Sequence, residues 1–164
     1  NGCFVAGVAG GSEKCRWITE EWGLNAPIDY QSENIRERIR EVFPNGIDVF
    51  FDNVGGEILQ AGVDHMAPLG SIVLCGQITS YNEGVQPEGP RNMMRLIYGG
   101  IRMQGFLVGH FEHRFDEALR DLTEWQRSGK LSHREDVRTG FENLPASFNA
   151  VFDGSNRGTL IVTN

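Results

Sequence analysis

Apolar positions along the chain switch repeatedly between a strand rhythm and a helix rhythm, and the switches predict strands and helices in alternation. The run CFVAGVAG (3–10) predicts a buried strand. Ser12 then stands where a helix N-cap belongs, and the helix it predicts runs to about Trp22, stopped by Gly23. APIDY (26–30) predicts a short strand. Ser32 is placed to cap a second helix, ENIRERIREVF, whose Ile35, Ile39, Val42 and Phe43 form one apolar stripe before Pro44-Asn45-Gly46 ends it. IDVFFDNVGG (47–56) predicts a strand that breaks at a double glycine. Residues 57–66 have helical spacing, Pro68-Leu69-Gly70 turns the chain, and SIVLCG (71–76) is a fully apolar strand. A 14-residue loop, QITSYNEGVQPEGP, follows; joins in compact domains usually take about 4 to 6 residues, so its length points to function. A helix, the strand IRMQGFLV (101–108), and an amphipathic helix over 111–128 with Phe115, Leu119, Leu122 and Trp125 come next. A weak strand near 134–138, a helix near 144–153 and a last strand, GTLIVTN, complete the pattern.

Strands that alternate with helices, the middle ones apolar on both faces, predict a parallel sheet covered on both sides: a doubly wound α/β domain. No internal repeat or low-complexity segment interrupts it. Composition fits a soluble globular protein of 164 residues, 40% hydrophobic and 23% charged. A net charge of -7 and a pI near 5.1 argue against a nucleic-acid surface. The chain has no uncharged apolar run of bilayer length, so the expected partner is a small molecule. Cys3, Cys15 and Cys75 match no zinc or disulfide spacing and predict reduced thiols in a cytoplasmic setting.

The glycine-rich stretch VAGVAGGSEKC (5–15) asks whether a phosphate is bound there. A dinucleotide fingerprint needs G-x-G-x-x-G between strand and helix, and GVAGG does not match it. The stretch reads better as the second strand of such a fold. A carboxylate at that strand's tip would bond the adenine ribose of NAD and repel a 2′-phosphate. Here the tip carries Gly10, Gly11 and Ser12, with Lys14 beyond them, so an ammonium with no competing anion faces the 2′-phosphate of NADP. The alternative is that Lys14 is a solvated first-turn lysine.

Other candidates are weaker. His110 and His113 form H-x-x-H, but zinc needs further ligands, so no metal site is expected and the pair reads as a helix-start surface feature, like His65 and His133 elsewhere. Cys75, with no base nearby in sequence, reads as a buried structural thiol rather than a nucleophile. Arg91 in GPRN could meet a cofactor phosphate or a partner subunit.

The stretches GGSEKC, IDY, IDVFFDNVGGE, IVLCGQITSYN, MQGFLV and GSNRGTLIV, in this order, resemble the cofactor domain of the zinc-independent medium-chain dehydrogenase/reductases. Within them, the chain is similar to the prostaglandin reductase and 2-alkenal reductase group of NADP-dependent double-bond reductases. DNVGGE followed by C-G-x-I-x-x-Y-N is the specific pairing, and the resemblance spans essentially the whole chain. It implies that Lys14 and Tyr30 hold the 2′-phosphate and adenosine end and that Asn53 lies against the cofactor. Cys75, Gly76, Ile78 and Tyr81 would line the nicotinamide half, Phe106, Leu107 and Val108 would pin the carboxamide through their backbone, and Asn156 would close over the pyrophosphate. The group usually has Gly-Lys where this chain has Gly158-Thr159.

The resemblance also implies a Rossmann-type sheet whose first strand and Gly-rich turn lie upstream of Asn1, together with a substrate domain, so the natural protein is expected to be longer and this piece by itself inactive. On that reading 1–140 is the NADP-binding domain and 141–164 a segment returning toward the substrate domain. The implied reaction is hydride transfer from NADPH to the β-carbon of an enal or enone, with Tyr81 beside the reacting centre; an ordinary loop tyrosine is the alternative. Quinone reduction and nucleotide binding without turnover stay open as other functions. IRMQGFLV could extend a sheet across a two-fold axis, and the resemblance points the same way, to a homodimer.

Overall fold

A computed structural model of the protein describes residues 2–80 and 89–164. Its contacts divide the chain into two compact units, residues 1–115 and 116–164. The first unit runs β1 (Ala6–Ala9), α1 (Ser12–Arg16) continued by a π-helical turn over Trp17–Glu21, β2 (Ala26–Asp29), α2 (Ile35–Val42), β3 (Ile47–Asp52), α3 (Gly56–Asp64), β4 (Met66–Leu74), α4 (Met94–Gly99) and β5 (Arg102–Gly105). A 3-10 turn over Val108–Arg114 leads into α5 (Phe115–Arg127), and β6 (Glu135–Thr139), α6 (Leu144–Asp153) and β7 (Thr159–Thr163) follow. No helix of the described residues is long and apolar enough to cross a membrane.

Every ladder among the described residues is parallel, as the helix-strand alternation predicts. β1 pairs with β2, β3 with β4 and β4 with β5; β6 and β7 form a ladder of their own. No ladder among the described residues joins β1 to β3. The 140/141 division expected from sequence falls between two strands of the β6–β7 ladder.

Registers decide what shares an end. Ala9 of β1 stands opposite Asp29 of β2, and Asp52, Leu74 and Gly105 form the last row of β3, β4 and β5. The turns after these rows therefore leave from the carboxyl ends of the strands, where open α/β sheets bind ligands. On one face of the three-stranded sheet, Phe50, Ile72 and Met103 pack into a core with Ile28, Ile39, Ile47, Val63 and Met66. Truncating a fully buried member such as Ile72 to alanine costs about 2–5 kcal/mol.

Several expectations need correction. Coverage on both faces is not what the described residues give: Val49 and Phe51, on the face opposite Phe50, are 66% and 55% exposed. The first strand is four residues rather than eight, and Phe4 and Val5 before it are exposed. Ser12 is not an N-cap. Gly11, at φ 86, holds that position without a side-chain bond, and Ser12 is the first helical residue. Ser32 does not cap α2 either: Asn34 Oδ1 accepts from the backbone N–H of Arg36 and Glu37, at 3.1 and 3.3 Å, so the cap is the residue whose oxygen reaches the first-turn donors. Pro68-Leu69-Gly70 does not precede a strand but bulges within β4, which spends three more residues than β3 between consecutive pairings and takes Leu69 to φ 63. The helix expected over 111–128 begins at Phe115, and its Phe115, Leu119, Leu122 and Trp125 are all exposed.

Candidate functional site

Two sites form at the carboxyl ends of the strands of the first unit. At the shared end of β1 and β2, Gly10 lets Tyr30 and Gln31 close in: a Cβ on Gly10 would lie 2.9 Å from both Tyr30 Oη and Gln31 Nε2. Lys14 sits in the first turn after Gly11, so Lys14 and Tyr30 belong to adjacent turns. The expectation of no competing anion is corrected: Glu13 stands beside Lys14 in the first turn, and the neighbouring strand brings a carboxylate to the tip. Asp29, the last residue of β2, turns its carboxylate to the tip, where Oδ1 accepts the Gly11 N–H at 2.8 Å and the Gln31 N–H at 3.0 Å, and Oδ2 accepts the Ser32 hydroxyl at 2.8 Å. The Gly11 bond, then those of Ser32 and Gln31, hold this carboxyl below the usual aspartate range. Behind the tip, burial foremost, with the charges of Asp29 and Glu33, pushes the buried Cys15 thiol up and keeps it neutral.

The second site is a cavity of about 520 Å³ at the ends of β3, β4 and β5, within the usual range of small-molecule sites. Leu59, Leu74, Met103 and Phe106 give it apolar walls, and Asp52, Gln77 and His110 contribute polar ones. Its floor is built by Asp52, which is 2% exposed. One oxygen accepts the Val54 N–H at 3.1 Å, both take the Gly55 N–H, and the Asp52 carbonyl receives Cys75 N–H at 2.8 Å and Gly76 N–H at 3.3 Å. The turn it holds needs glycine: Gly55 and Gly56 have φ 76 and 56, and a Cβ on Gly55 would press into Gln77. Phe106 N–H donates to Leu74 at 3.1 Å, and the Phe106 ring lies edge-on between Phe51 and Phe111. Leu107 N–H donates to His110 Nδ1 at 3.3 Å, which requires the tautomer with its proton on Nε2.

A ring of hydrogen bonds and ion pairs, closed through the Arg91 backbone, ties α2 and α3 to the chain beside Pro90. Gln60, 6% exposed, accepts the Arg91 backbone N–H at 2.7 Å and donates to Asp64 at 3.0 Å. Asp64 takes Arg36 at 2.6 Å, Arg36 reaches Glu57 at 2.9 Å, and Glu57 reaches Arg91 at 3.4 Å. Pro90, beside the anchored residue, lines the cavity. The hydrogen bond from Arg36 holds the Glu57 carboxyl down.

Of the candidates from sequence, Cys75, Gly76, Phe106 and Leu107 line the cavity. Asn53 lies just past β3, where its carbonyl receives Ile78 N–H at 3.2 Å. Ile78 and Val108 are exposed and outside the lining. Asn156 belongs to the second unit and donates to the Gly158 carbonyl at 2.8 Å. Tyr81 falls outside the described residues. Arg91 joins the ring, through Glu57 and Gln60. Cys75 is corrected: the strand ends at Leu74, so the thiol is exposed at the cavity rather than buried. His110 and His113 are both exposed, as expected of surface residues, and His110 in addition lines the cavity whereas His113 does not. Among the described residues no group of three or more His, Cys, Asp or Glu side chains could hold a metal ion.

A family model described as zinc-binding dehydrogenase matches residues 1–124. The chain belongs to the zinc-binding dehydrogenase family. Within the family it is 34% identical to an NADPH-dependent curcumin reductase of Escherichia coli and 38% identical to prostaglandin reductase 1 of Sus scrofa, in each case over 98% of the chain. It spans about half the length of these curated relatives, 48% and 49%. Among solved structures it superposes on the CurA protein of Vibrio vulnificus, determined in complex with NADPH, with a TM-score of 0.90 at 38% identity, covering 99% of this chain and 50% of that one. The fold is thus the α/β parallel-sheet arrangement of the family's Rossmann-type domain. Sequence reasoning missed Asp52 and Gln77 in this cavity; the signal present for both was their place at or just after a strand end.

Proposed function

We propose that the full-length protein is an NADPH-dependent oxidoreductase that reduces the activated C=C bond of enals or enones. The observation that carries this is the alignment of β3, β4 and β5 to end in one row at a cavity of about 520 Å³, in a chain 38% identical to a protein solved with NADPH. The coenzyme fits the residues present: the turns that carry Lys14 and Tyr30 leave from the same end of the β1–β2 ladder, and Cys75, Gly76 and Gly105 line a cavity walled by Leu59, Leu74, Met103 and Phe106. Bound NADPH supplies a hydride.

The chain's own residues bind and orient. Lys14 and Tyr30 hold the 2′-phosphate and adenosine end, and Asn53, Cys75, Gly76 and Ile78 flank the nicotinamide half. The backbone of Phe106, Leu107 and Val108 fixes the carboxamide, and Asn156 closes over the pyrophosphate. Tyr81, which falls outside the described residues, would hydrogen-bond the nicotinamide ribose or the enolate oxygen as negative charge develops. Coenzyme binding belongs to 1–140, and 141–164 returns toward a substrate domain, with the β6–β7 ladder as the join. A strand of the longer protein would lie between β1 and β3, which share no ladder. The side of β5 that pairs with no strand among the described residues is the edge on which two copies would form a homodimer, in the cytoplasm.

NADPH consumption by the full-length protein tests the activity with a small enal against a quinone. Faster turnover of the enal is expected. Turnover of the quinone alone would transfer the assignment to quinone reduction, and tight NADPH binding with no oxidation by either would make this a nucleotide-binding protein without turnover.

A further inference from the structure

We propose that Asp29 is a positioning residue for the 2′-phosphate end of the coenzyme, a role that rests on the NADPH reading above. Its Oδ1 accepts two backbone N–H groups from different turns, Gly11 after β1 and Gln31 after β2. One oxygen thereby ties the turn that leads into Lys14 to the turn that carries Tyr30. The parallel ladder ends at the same level, with Ala9 opposite Asp29 and the Tyr30 N–H donated to the Ala9 carbonyl at 3.2 Å. Beyond that bond no strand pairing holds the two turns together, and the carboxylate takes over.

An aspartate beside a phosphate site would ordinarily repel the ligand. Here neutral donors orient and stabilise the carboxylate within the fold without cancelling its charge. A carboxylate has about four acceptor positions; three are occupied, by Gly11, Gln31 and Ser32, at 2.8 to 3.0 Å. Glu33 accepts the Asp29 N–H at 2.7 Å, so the second acid of the cluster is also engaged with backbone. Asp29 thus fixes the turn that leads into Lys14 against the turn that carries Tyr30, while Gly10, lacking a side chain, lets Tyr30 and Gln31 close over the tip. Placement of the groups that discriminate one coenzyme from another is worth as much as the groups themselves.

The test uses the full-length protein and two adenosine probes, 2′,5′-ADP and 5′-AMP, titrated calorimetrically, so that no turnover is needed. Wild type is expected to bind 2′,5′-ADP about tenfold or more tightly than 5′-AMP, and Asp29→Ala to erase most of that ratio while leaving 5′-AMP within about twofold. Asp29→Asn keeps the shared acceptor oxygen and should retain the ratio. Asp29→Glu keeps the charge but moves the oxygens by one methylene, and should lose the ratio; it serves if the alanine variant does not fold. Equal weakening of both probes would reduce Asp29 to a structural residue and overturn the inference. Tighter 2′,5′-ADP binding by Asp29→Ala would overturn it too, since the carboxylate would then be repelling the ligand. A wild type indifferent to the 2′-phosphate would instead sink the NADPH reading, and this inference with it.

Discussion

Asp29 and Asp52 occupy equivalent places, each the last residue of a strand, each with a carboxylate turned onto backbone N–H groups, yet they do different work. Asp52 is 2% exposed and caps its own turn, bonding residues two and three positions on. Asp29 is half-buried and bonds a turn 18 residues away as well as its own. The first is a local device that any strand-turn-helix can carry, and it shapes a cavity floor. The second is a cross-link between loops, tying the Gly11 turn to the Gln31 turn. A strand-end aspartate is therefore not one kind of feature. What it does depends on which neighbouring turn presents its donors.

The contrast can be broken most strongly at Asp52. Asp52→Ala leaves buried turn donors without an acceptor and is expected to cost the full-length protein about 2–3 kcal/mol in denaturant unfolding, most of it restored in Asp52→Asn. A loss below about 1 kcal/mol would mean that the turn stands without its cap. Gly55→Ala comes next, at about 1–2 kcal/mol, because a side chain would have to adopt the left-handed backbone of φ 76 and displace Gln77. An effect no larger than that of alanine on a surface helix would contradict the strained turn.

Asp29 predicts a pH effect rather than a large loss. Its carboxyl is held below the usual range chiefly by the Gly11 N–H, so its contribution is complete above the unfolded value and is lost as pH falls through the lower folded one. The stability gap between wild type and Asp29→Asn should be constant from pH 7 to about 5 and close below about pH 4. A gap that widened on acidification would have the wrong sign. The smallest effect belongs to Arg36→Ala, which opens an exposed part of the ring that ties α2 to α3: a fall in melting temperature below that of Gly55→Ala, and smaller still at high salt. Salt independence would mean that the ring acts through packing.

The elements themselves were largely legible in sequence, because strand and helix rhythms follow from burial on one face or two, and parallel pairing follows from their alternation. Caps and edges were less so. Ser12 and Ser32 are good cap residues in isolation, but Gly11 and Asn34 hold those positions, since Ser32 is recruited by Asp29 across the turn. Cys75 looked like part of the end of an apolar strand over 71–76, and the strand stops two residues sooner, at Leu74. Exposure of Val49 and Phe51 depends on what packs on the sheet rather than on their own character. In the candidate sites, the glycines at 10 and 55 were visible as turn residues. The acceptors that make those turns useful, Asp29 and Asp52, were not, since nothing in a sequence says which N–H a carboxylate will meet.

The central claim, that an ammonium placed at the β1 tip selects the phosphorylated coenzyme, is tested most directly by titrating the full-length protein and its Lys14→Ala variant with NADPH and NADH. The account predicts that wild type binds NADPH about tenfold or more tightly and that the variant loses most of this margin through weaker NADPH binding alone. Equal affinities in wild type, or a margin untouched by removal of Lys14, would contradict it.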